Sequence, residues 1–504
     1  MAISNRPQSG AVYQHIDVIN PITSEIIGSV PQTPTDEIRE AIERARDAQS
    51  AWAEKSVSER VRLIRHWADL VWQNQETIIK MNRSETGKTD SGAFLEILVL
   101  DNILQYYIHH APSFLKTQKR TTVVPILQKA KVFYKPHGVV GVISPWNYPY
   151  LLALIDLVPA LIAGNSVLLK PSEITPFTAE YAVKLMHEAG IPQDVVQVIH
   201  GDGRAGATLV EHVDYIAFTG STAIGRKVAE TAAKRLIPYS LELGGKDPCI
   251  VLEDADLDMT AAGLMRSAFE NAGQVCISIE RVYADSRIYD ALMDKLNYYA
   301  SRFEMGSGDG MDVHMGSMTN IRELERTEAH IHDAISKGAK VVFGGRRRTD
   351  LGPLFFEPTI LADVDHSMDV MRQETFGPIL PVMKFHSIEE AIRLANDSEY
   401  GLSASIFTRD FKRAEQIALR LDTGDVSVNR PQMAVATPSL PSGGQRNSGV
   451  GRRNGKEGLL RFTHTQSFLT DSLFAQQPEL RLADPTSLQF AMILRVIRRY
   501  IKFI

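Results

Sequence analysis

Between Gly138 and Thr219 the sequence alternates short apolar runs with helical stretches, and this alternation constrains the fold more than any other feature. Residues 138–143 (Gly-Val-Val-Gly-Val-Ile), 166–170, 195–199 and 215–219 read as strands; the stretches ending at Ala163 and spanning 178–189 read as helices. Apolar strands separated by such helices predict an α/β fold, a doubly wound parallel sheet with helices on both faces. Ligands in such sheets bind beyond the strand carboxyl ends, here the loops 144–149, 170–176 and 219–225. A second βα pattern starts at residue 247 and runs through 249–252, 285–303, 341–344, 379–382 and a helix at 388–396. It predicts a second α/β domain.

The 504 residues suffice for two to four domains and a large core. A net charge of -5 argues against a polyanionic partner, so no nucleic acid is expected. Two cysteines, Cys249 and Cys276, exclude a disulfide scaffold and fit a reducing, cytoplasmic setting. No Cys/His cluster has zinc spacing, so no metal is expected. The polar stretch 1–10 lacks an apolar signal core, and no apolar run reaches spanning length.

Ahead of the first sheet, 36–53, 56–82 and 92–117 carry helical spacing, with Thr35 as the expected N-cap of the first. Residues 121–124 and 131–135 read as two strands of an extended arm, of the kind that pairs with another subunit's sheet.

Phe269-Glu-Asn-Ala-Gly-Gln-Val-Cys276 is the stretch with the most chemistry. A thiol of pKa near ~8.5 needs help to act as a nucleophile. Small residues, Ala272 and Gly273, would let two ligands approach Cys276 from two sides; a buried structural cysteine is the competing reading. Two glycine turns compete for a dinucleotide. Gly201-Asp-Gly203-Arg-Ala-Gly206 matches the fingerprint to the letter. Gly220-Ser221-Thr-Ala-Ile-Gly225 lacks the middle glycine but also opens a helix, where free N–H groups suit a pyrophosphate. Glu242 lies between leucines and beside two glycines, which predicts a desolvated carboxylate in general-base range or, more plainly, a surface turn. Residues 373–378 form a loop holding an acid and an aromatic, and 441–451 a glycine-rich loop.

Six motifs in order, Ser144-Pro145-Trp146-Asn147, Lys170-Pro-Ser172-Glu173, Gly220-Ser221…Gly225, Glu242-Leu243-Gly244-Gly, Gly273-Gln-Val-Cys276 and Glu374-Thr-Phe376-Gly-Pro378, resemble the NAD(P)-dependent aldehyde dehydrogenase superfamily over about residues 17–470. Local wording around Cys276 and at Gly449-Val-Gly-Arg-Arg453 is similar to a bacterial branch labelled succinate-semialdehyde dehydrogenase. The resemblance implies a Rossmann-type cofactor domain (1–118 and 138–245), a catalytic domain (246–445) and an oligomerisation arm (119–137 and 462–475) in a homodimer or homotetramer. It implies that Cys276 attacks an aldehyde, that Asn147 and the Cys276 N–H hold the oxyanion, and that Glu242 activates the water that releases the acid. It places the pyrophosphate against Gly220–Gly225, with Ser221 contributing a hydroxyl, and Gly203 near the adenine end. Ser144, Pro145, Trp146, Ser172, Leu243 and Gly244 complete the implied cofactor site. Lys170 and Glu173 would bind the adenosine ribose, and Glu374 the nicotinamide ribose with Phe376 beside the ring. A carboxylate at the ribose 2′ position repels phosphate, so Glu173 favours NAD over NADP, with Lys170 partly compensating.

The resemblance also has departures. The branch's two carboxylate-binding arginines are replaced by Ile155 and Glu270. Ser442 stands where small-aldehyde enzymes place an aromatic, and Arg453 where many relatives place a second acid. Tyr148, Leu151, Leu152, Ile155, Val275 and Ile277 would then line an apolar, wide channel suited to medium or long aliphatic or terpenoid-like aldehydes. Glu270 alternatively suits a cationic aminoaldehyde. A non-catalytic scaffold is the contrasting class, against which Cys276, Glu242 and Asn147 all stand. In the tail 476–504, Arg495, Arg498, Arg499 and Lys502 form a cationic stripe on an amphipathic helix. It would contact an anionic membrane surface, or pack on the enzyme at the tunnel mouth or on a neighbouring subunit.

Overall fold

The computed structural model describes residues 13–122, 128–307 and 312–471, together with Gln489, Met492 and Arg495. Two sheets dominate. The first has six strands in the order Gly449–Val450, Tyr239–Glu242, Tyr215–Thr219, Val139–Ile143, Ser166–Lys170, Val196–Val198. All pair in parallel except Gly449–Val450, which runs antiparallel to Tyr239–Glu242. The expected strands 166–170 and 215–219 have the observed bounds. Their uninterrupted burial explains why apolar runs identified them: helices cover both faces, so no residue can be polar by alternation.

The second sheet has seven strands, Lys340–Phe343, Thr359–Ala362, Ile379–Phe385, Ile279–Asp285, Asp247–Val251, Ser403–Phe407 and Asp425–Val428. Only the Lys340–Phe343 edge is antiparallel. A three-stranded sheet of Thr463–Asp471, Gln128–Pro136 and Gln118–Arg120 stands apart, and Thr463–Asp471 is exposed along most of its length. The main hydrophobic core of the second sheet includes Phe269, Leu292 and Phe385; that of the first includes Trp52, Trp67 and Leu161.

Several expectations need correcting. The 56–82 helix is two helices, Val57–Gln73 and Gln75–Thr86, parted at Asn74, whose side-chain amide turns back on Leu70 O (2.8 Å). Pro34 rather than Thr35 occupies the first cap, since proline's fixed φ suits a helix entrance. The arm has a strand at Gln118–Arg120, set by ladder pairing with Ala130–Val132 rather than by β-propensity, and Thr121 and Thr122, the described part of the expected strand 121–124, lie outside it. Residues 123–127 lie outside the described residues. The 285–303 element divides into the end of a buried strand, Ile279–Asp285, and the helix Tyr289–Ala300. Of the tail, only Gln489, Met492 and Arg495 are described; all three are helical and exposed, and the rest of the proposed stripe lies outside the described residues. Among the described residues, no helix is long and apolar enough to cross a membrane, and no group of three or more His, Cys, Asp or Glu could hold a metal ion.

Candidate active site

The expected site residues converge on the carboxyl ends of the first sheet's strands and the facing edge of the second. Cys276 sits on a loop between the helix Leu257–Phe269 and the strand Ile279–Asp285. That loop is bent hard. Asn271, Ala272 and Gly273 have φ of 50, 54 and 73°, all left-handed. A Cβ on Gly273 would stand 2.2 Å from Gly377 O, so only glycine fits where the cysteine loop meets the 373–378 loop. Left-handed non-glycine backbone is costly and collects at functional sites.

Asn147 lies against this loop. Its side-chain Nδ2 donates to Gln274 O (2.9 Å), two residues before Cys276. Its own carbonyl accepts from Lys88 Nζ (2.9 Å) and Asn271 Nδ2 (3.0 Å). Lys88 is ion-paired with Glu96, whose other oxygen accepts the N–H groups of Tyr150 (3.1 Å) and Leu151 (2.9 Å), where the helix Leu151–Ala163 begins. The orientation of Asn147 is thus fixed from three sides. Sequence reasoning missed Lys88, Glu96 and Asn271; no local pattern marks them, because the groups at Asn147, Tyr150 and Leu151 that they hold are 54 to 124 residues away.

Burial pushes the Cys276 thiol up to about 12, with the carboxylates Asp247, Glu374 and Glu242 adding to it and Arg453 opposing. Glu242 ends the strand Tyr239–Glu242 and is buried. Burial pushes it up to about 7, against the pull of Arg453 and Arg461. Among the described residues its Oε1 has no hydrogen-bond partner. The surface-turn reading of Glu242 is therefore excluded. Glu270, six residues before Cys276, is half-buried and raised by burial, and accepts a hydrogen bond from Tyr148 OH (2.8 Å).

The expected cofactor residues also gather. Ser144 N donates to Lys170 O (3.1 Å), and Ser144 Oγ is buried without a partner among the described residues. Lys170 Nζ reaches Glu173 Oε2 (3.2 Å), whose side chain is 41% exposed and so open to a ligand. Ser172 is buried and its Oγ accepts from Ile174 N (3.3 Å). Gly220 N donates to Glu242 O, and Ser221 caps the helix Thr222–Arg235 with no side-chain bond, leaving its exposed hydroxyl free for a ligand. A Cβ on Gly225 would stand 2.4 Å from Leu243, so that helix packs tightly on the strand end. At the letter-perfect turn, a Cβ on Gly203 would meet nothing within 4 Å, while one on Gly206 would come 3.7 Å from Lys170 Cδ. Glu374 Oε1 accepts from Gly245 N (3.0 Å) and crowds Gly244, where a Cβ would stand 2.4 Å from Oε2. Burial pushes Glu374 up to about 8. Phe376, at φ 56°, meets the Trp146 ring edge-on at 5.5 Å, next to Pro145 in sequence. Its N–H and that of Thr375 are held by Glu280, itself paired with Lys246.

The expected channel residues are placed less simply. Tyr148, Ile155 and Val275 are buried; Leu151, Leu152 and Ile277 are half-buried. Ser442 is buried and donates its hydroxyl to Asp425 Oδ2 (2.8 Å), so it is tied down. A cavity of about 470 Å³ has Glu270 and Asn271 in its wall, with Leu95, Met265, Tyr299 and Phe303 as apolar lining and Lys88, Arg266 and His314 as polar lining. Cys276's own loop thus forms part of that wall.

The arrangement brings together a candidate nucleophile in Cys276, an oriented amide in Asn147 and, in Glu242, a buried carboxylate with one oxygen that has no hydrogen-bond partner among the described residues. A family described as the aldehyde dehydrogenase family matches residues 8–468. A Mycobacterium ulcerans (strain Agy99) protein, whose name assigns it to succinate semialdehyde and NADP(+), is 40% identical over 482 residues, 95% of this chain and 93% of that one. The 4,4'-diapolycopene aldehyde oxidase of a Methylomonas species is 39% identical over 466 residues, 90% of this chain and 86% of that one. Among solved structures, an aldehyde dehydrogenase from Brucella melitensis biovar abortus 2308 superposes with a TM-score of 0.88 at 36% identity, covering 91% of this chain and 94% of that one. A succinate-semialdehyde dehydrogenase from Burkholderia pseudomallei gives 0.88 at 35% identity, with 91% and 95% covered.

Proposed function

Because the chain belongs to the aldehyde dehydrogenase family and is an NAD(P)-dependent aldehyde oxidoreductase, we propose that it oxidises an apolar medium- or long-chain, or terpenoid-like, aldehyde to the carboxylic acid. The observation that carries the substrate reading is Glu270 bonded to Tyr148 where the related branch places an arginine. A distal carboxylate there would meet like charge, and Ile155, at the other arginine position, offers no charge to offset it. The name of the Methylomonas relative supports a terpenoid-like aldehyde, and that of the M. ulcerans relative the short dicarboxylic semialdehyde.

The first sheet is the proposed cofactor domain, the second the catalytic domain, and the three-stranded sheet the oligomerisation arm. The residues fit a dinucleotide: Ser144 Oγ is buried with no partner among the described residues, the Glu173 carboxylate is open to a ligand, and the helix start at Gly225 packs closely on the strand end. When bound, NAD(P) supplies the hydride acceptor that turns a thiohemiacetal on Cys276 into a thioester. Lys170 and Glu173 would hold one ribose and Glu374 the other, and Phe376 with Trp146 would exclude water. Cys276 Sγ attacks the carbonyl carbon, and the Asn147 amide with the Cys276 N–H takes the oxyanion. A thiol raised this far attacks only once its proton has left to solvent, a loss that the charge of Arg453 favours and the neighbouring carboxylates oppose. Glu242 then accepts a proton from the water whose oxygen bonds to the acyl carbon; the C–S bond breaks and its electron pair returns to sulfur.

The test is a substrate panel at fixed NAD(P): decanal, succinate semialdehyde and an aminoaldehyde. The reading expects kcat/KM highest for decanal. A preference for succinate semialdehyde would overturn it, and a preference for the aminoaldehyde would assign Glu270 to a cation.

A further inference from the structure

Resting on Glu242 as the base that frees the acyl group, we propose that Arg453 is a positioning residue for that step: locked in place by Asp156 and Thr219, its guanidinium keeps the Glu242 carboxylate charged in a buried pocket. The backbone builds this juxtaposition. Thr219 and Glu242 are register partners on adjacent parallel strands, and Gly449 is Glu242's partner on the other side. Leaving Gly449–Val450, the chain turns at Gly451 (φ 100°) and returns Arg453 to the strand ends. There Arg453 Nη2 donates to Thr219 Oγ1. Its Nε and Nη2 donate to the two oxygens of Asp156, at 3.0 and 2.6 Å. The backbones of Arg453 and Ser442 bond each other in both directions, at 2.9 and 2.6 Å. Arg453 is 9% exposed, so it cannot swing into solvent.

Charges facing Glu242 come from every element around it: Asp156 on the helix Leu151–Ala163, Arg453 before and Arg461 after the helix Gly455–Leu460, Asp425 on its strand, and Cys276. Asp156 is held below the ordinary carboxylate range despite burial, because Arg453 and Arg461 both grip it. Two guanidiniums thus share one carboxylate by contact, and the positive charge left over faces Glu242. Asp425 is engaged elsewhere, by Ser442 Oγ and Gly443 N. Glu242 Oε1 has no hydrogen bond among the described residues, so its ionisation depends on charges acting through space. A Cβ on Gly443 would stand 3.0 Å from that oxygen, so the glycine loop closes the pocket without giving it a donor. Of the cations raising the charged fraction of Glu242, Arg453 weighs most, and it also favours the Cys276 thiolate.

The test separates acylation from release without the dinucleotide. A 4-nitrophenyl ester acylates Cys276, expelling nitrophenolate in a fast phase; release of the acyl group by Glu242 and water sets the later steady rate. Arg453→Gln should move the acid limb of the steady rate up by about one pH unit, a roughly fivefold slowing at pH 7 from a limb that starts near 7. The fast phase should change less, and aldehyde KM should stay within about threefold. Arg453→Lys should restore the wild-type limb. Asp156→Asn removes an acid from the cluster while Thr219 and the paired Ser442 backbone still hold Arg453, so it should move the limb down, an opposite sign that a merely structural role would not produce. A folded Arg453→Gln with an unmoved limb overturns the inference. So does an upward shift in Asp156→Asn, which decides the matter should Arg453→Gln not fold. An enzyme that shows this ester pattern but oxidises no aldehyde would sink the proposed function and leave Arg453's role standing.

Discussion

Glu242, whose charge acts on Cys276, and Glu270, six residues before it in sequence, are both raised by burial, yet only one is satisfied. Glu270 accepts a hydrogen bond from Tyr148 OH, and Lys88 lies over the Tyr148 ring at 4.1 Å. It is built into a wall. Glu242 sits among buried charges with an oxygen that nothing donates to among the described residues. A satisfied buried acid is held still, and what it does is repel or attract the substrate's far end. An unsatisfied one still has a proton-accepting position to fill, which is what a general base needs. On the proposed function, the contrast gives the chemistry to Glu242 and the selectivity to Glu270.

The sharpest way to break this contrast is to remove each acid. Glu242→Gln should lower steady-state kcat by about 10²–10⁴-fold while a single turnover of reduced cofactor persists, measured by stopped-flow absorbance. In the wild type the base must be ionised, so turnover should fall as pH drops through about 7, where burial has placed Glu242; a limb near the usual carboxylate range would deny the burial. Asn147→Ala should cost about 10²–10³-fold in kcat with little change in cofactor affinity, read by steady-state kinetics and cofactor titration. Glu270→Arg should leave decanal turnover nearly intact and raise the kcat/KM ratio of succinate semialdehyde to decanal by about tenfold. Smallest is the cofactor effect. Glu173→Gln should improve KM for NADP severalfold and leave NAD almost unchanged, since the carboxylate that repels a 2′-phosphate is gone.

The same contrast explains what could be read in advance. Motifs that sit on strand ends were legible because the strands are apolar throughout and the turns must be small; 166–170 and 215–219 came out with their observed bounds. The strand Ile279–Asp285 was not, because Glu280 and Arg281 interrupt it. Both are buried and answered at a distance, by Lys246, by the Lys246 carbonyl and by carbonyls near residue 395. Glu242's desolvation could be expected from its leucine neighbours. The Asp156–Arg453 pair could not, since 297 residues separate its members and neither has a local signature. In the two glycine turns, Gly203 faces open space, whereas Gly201 and Gly225 each stand where a methyl group would collide, with Ala205 and with Leu243.

The central claim is that Cys276 carries the acyl group and Glu242 releases it. Intact and peptide mass spectrometry of the Glu242→Gln variant, quenched after mixing with decanal and NAD, tests it most directly. The account predicts a decanoyl group on the Cys276 peptide at close to one per chain, absent when Cys276 is replaced by alanine. Reduced cofactor formed with an unmodified Cys276, or an acyl group found on Cys249, would contradict it.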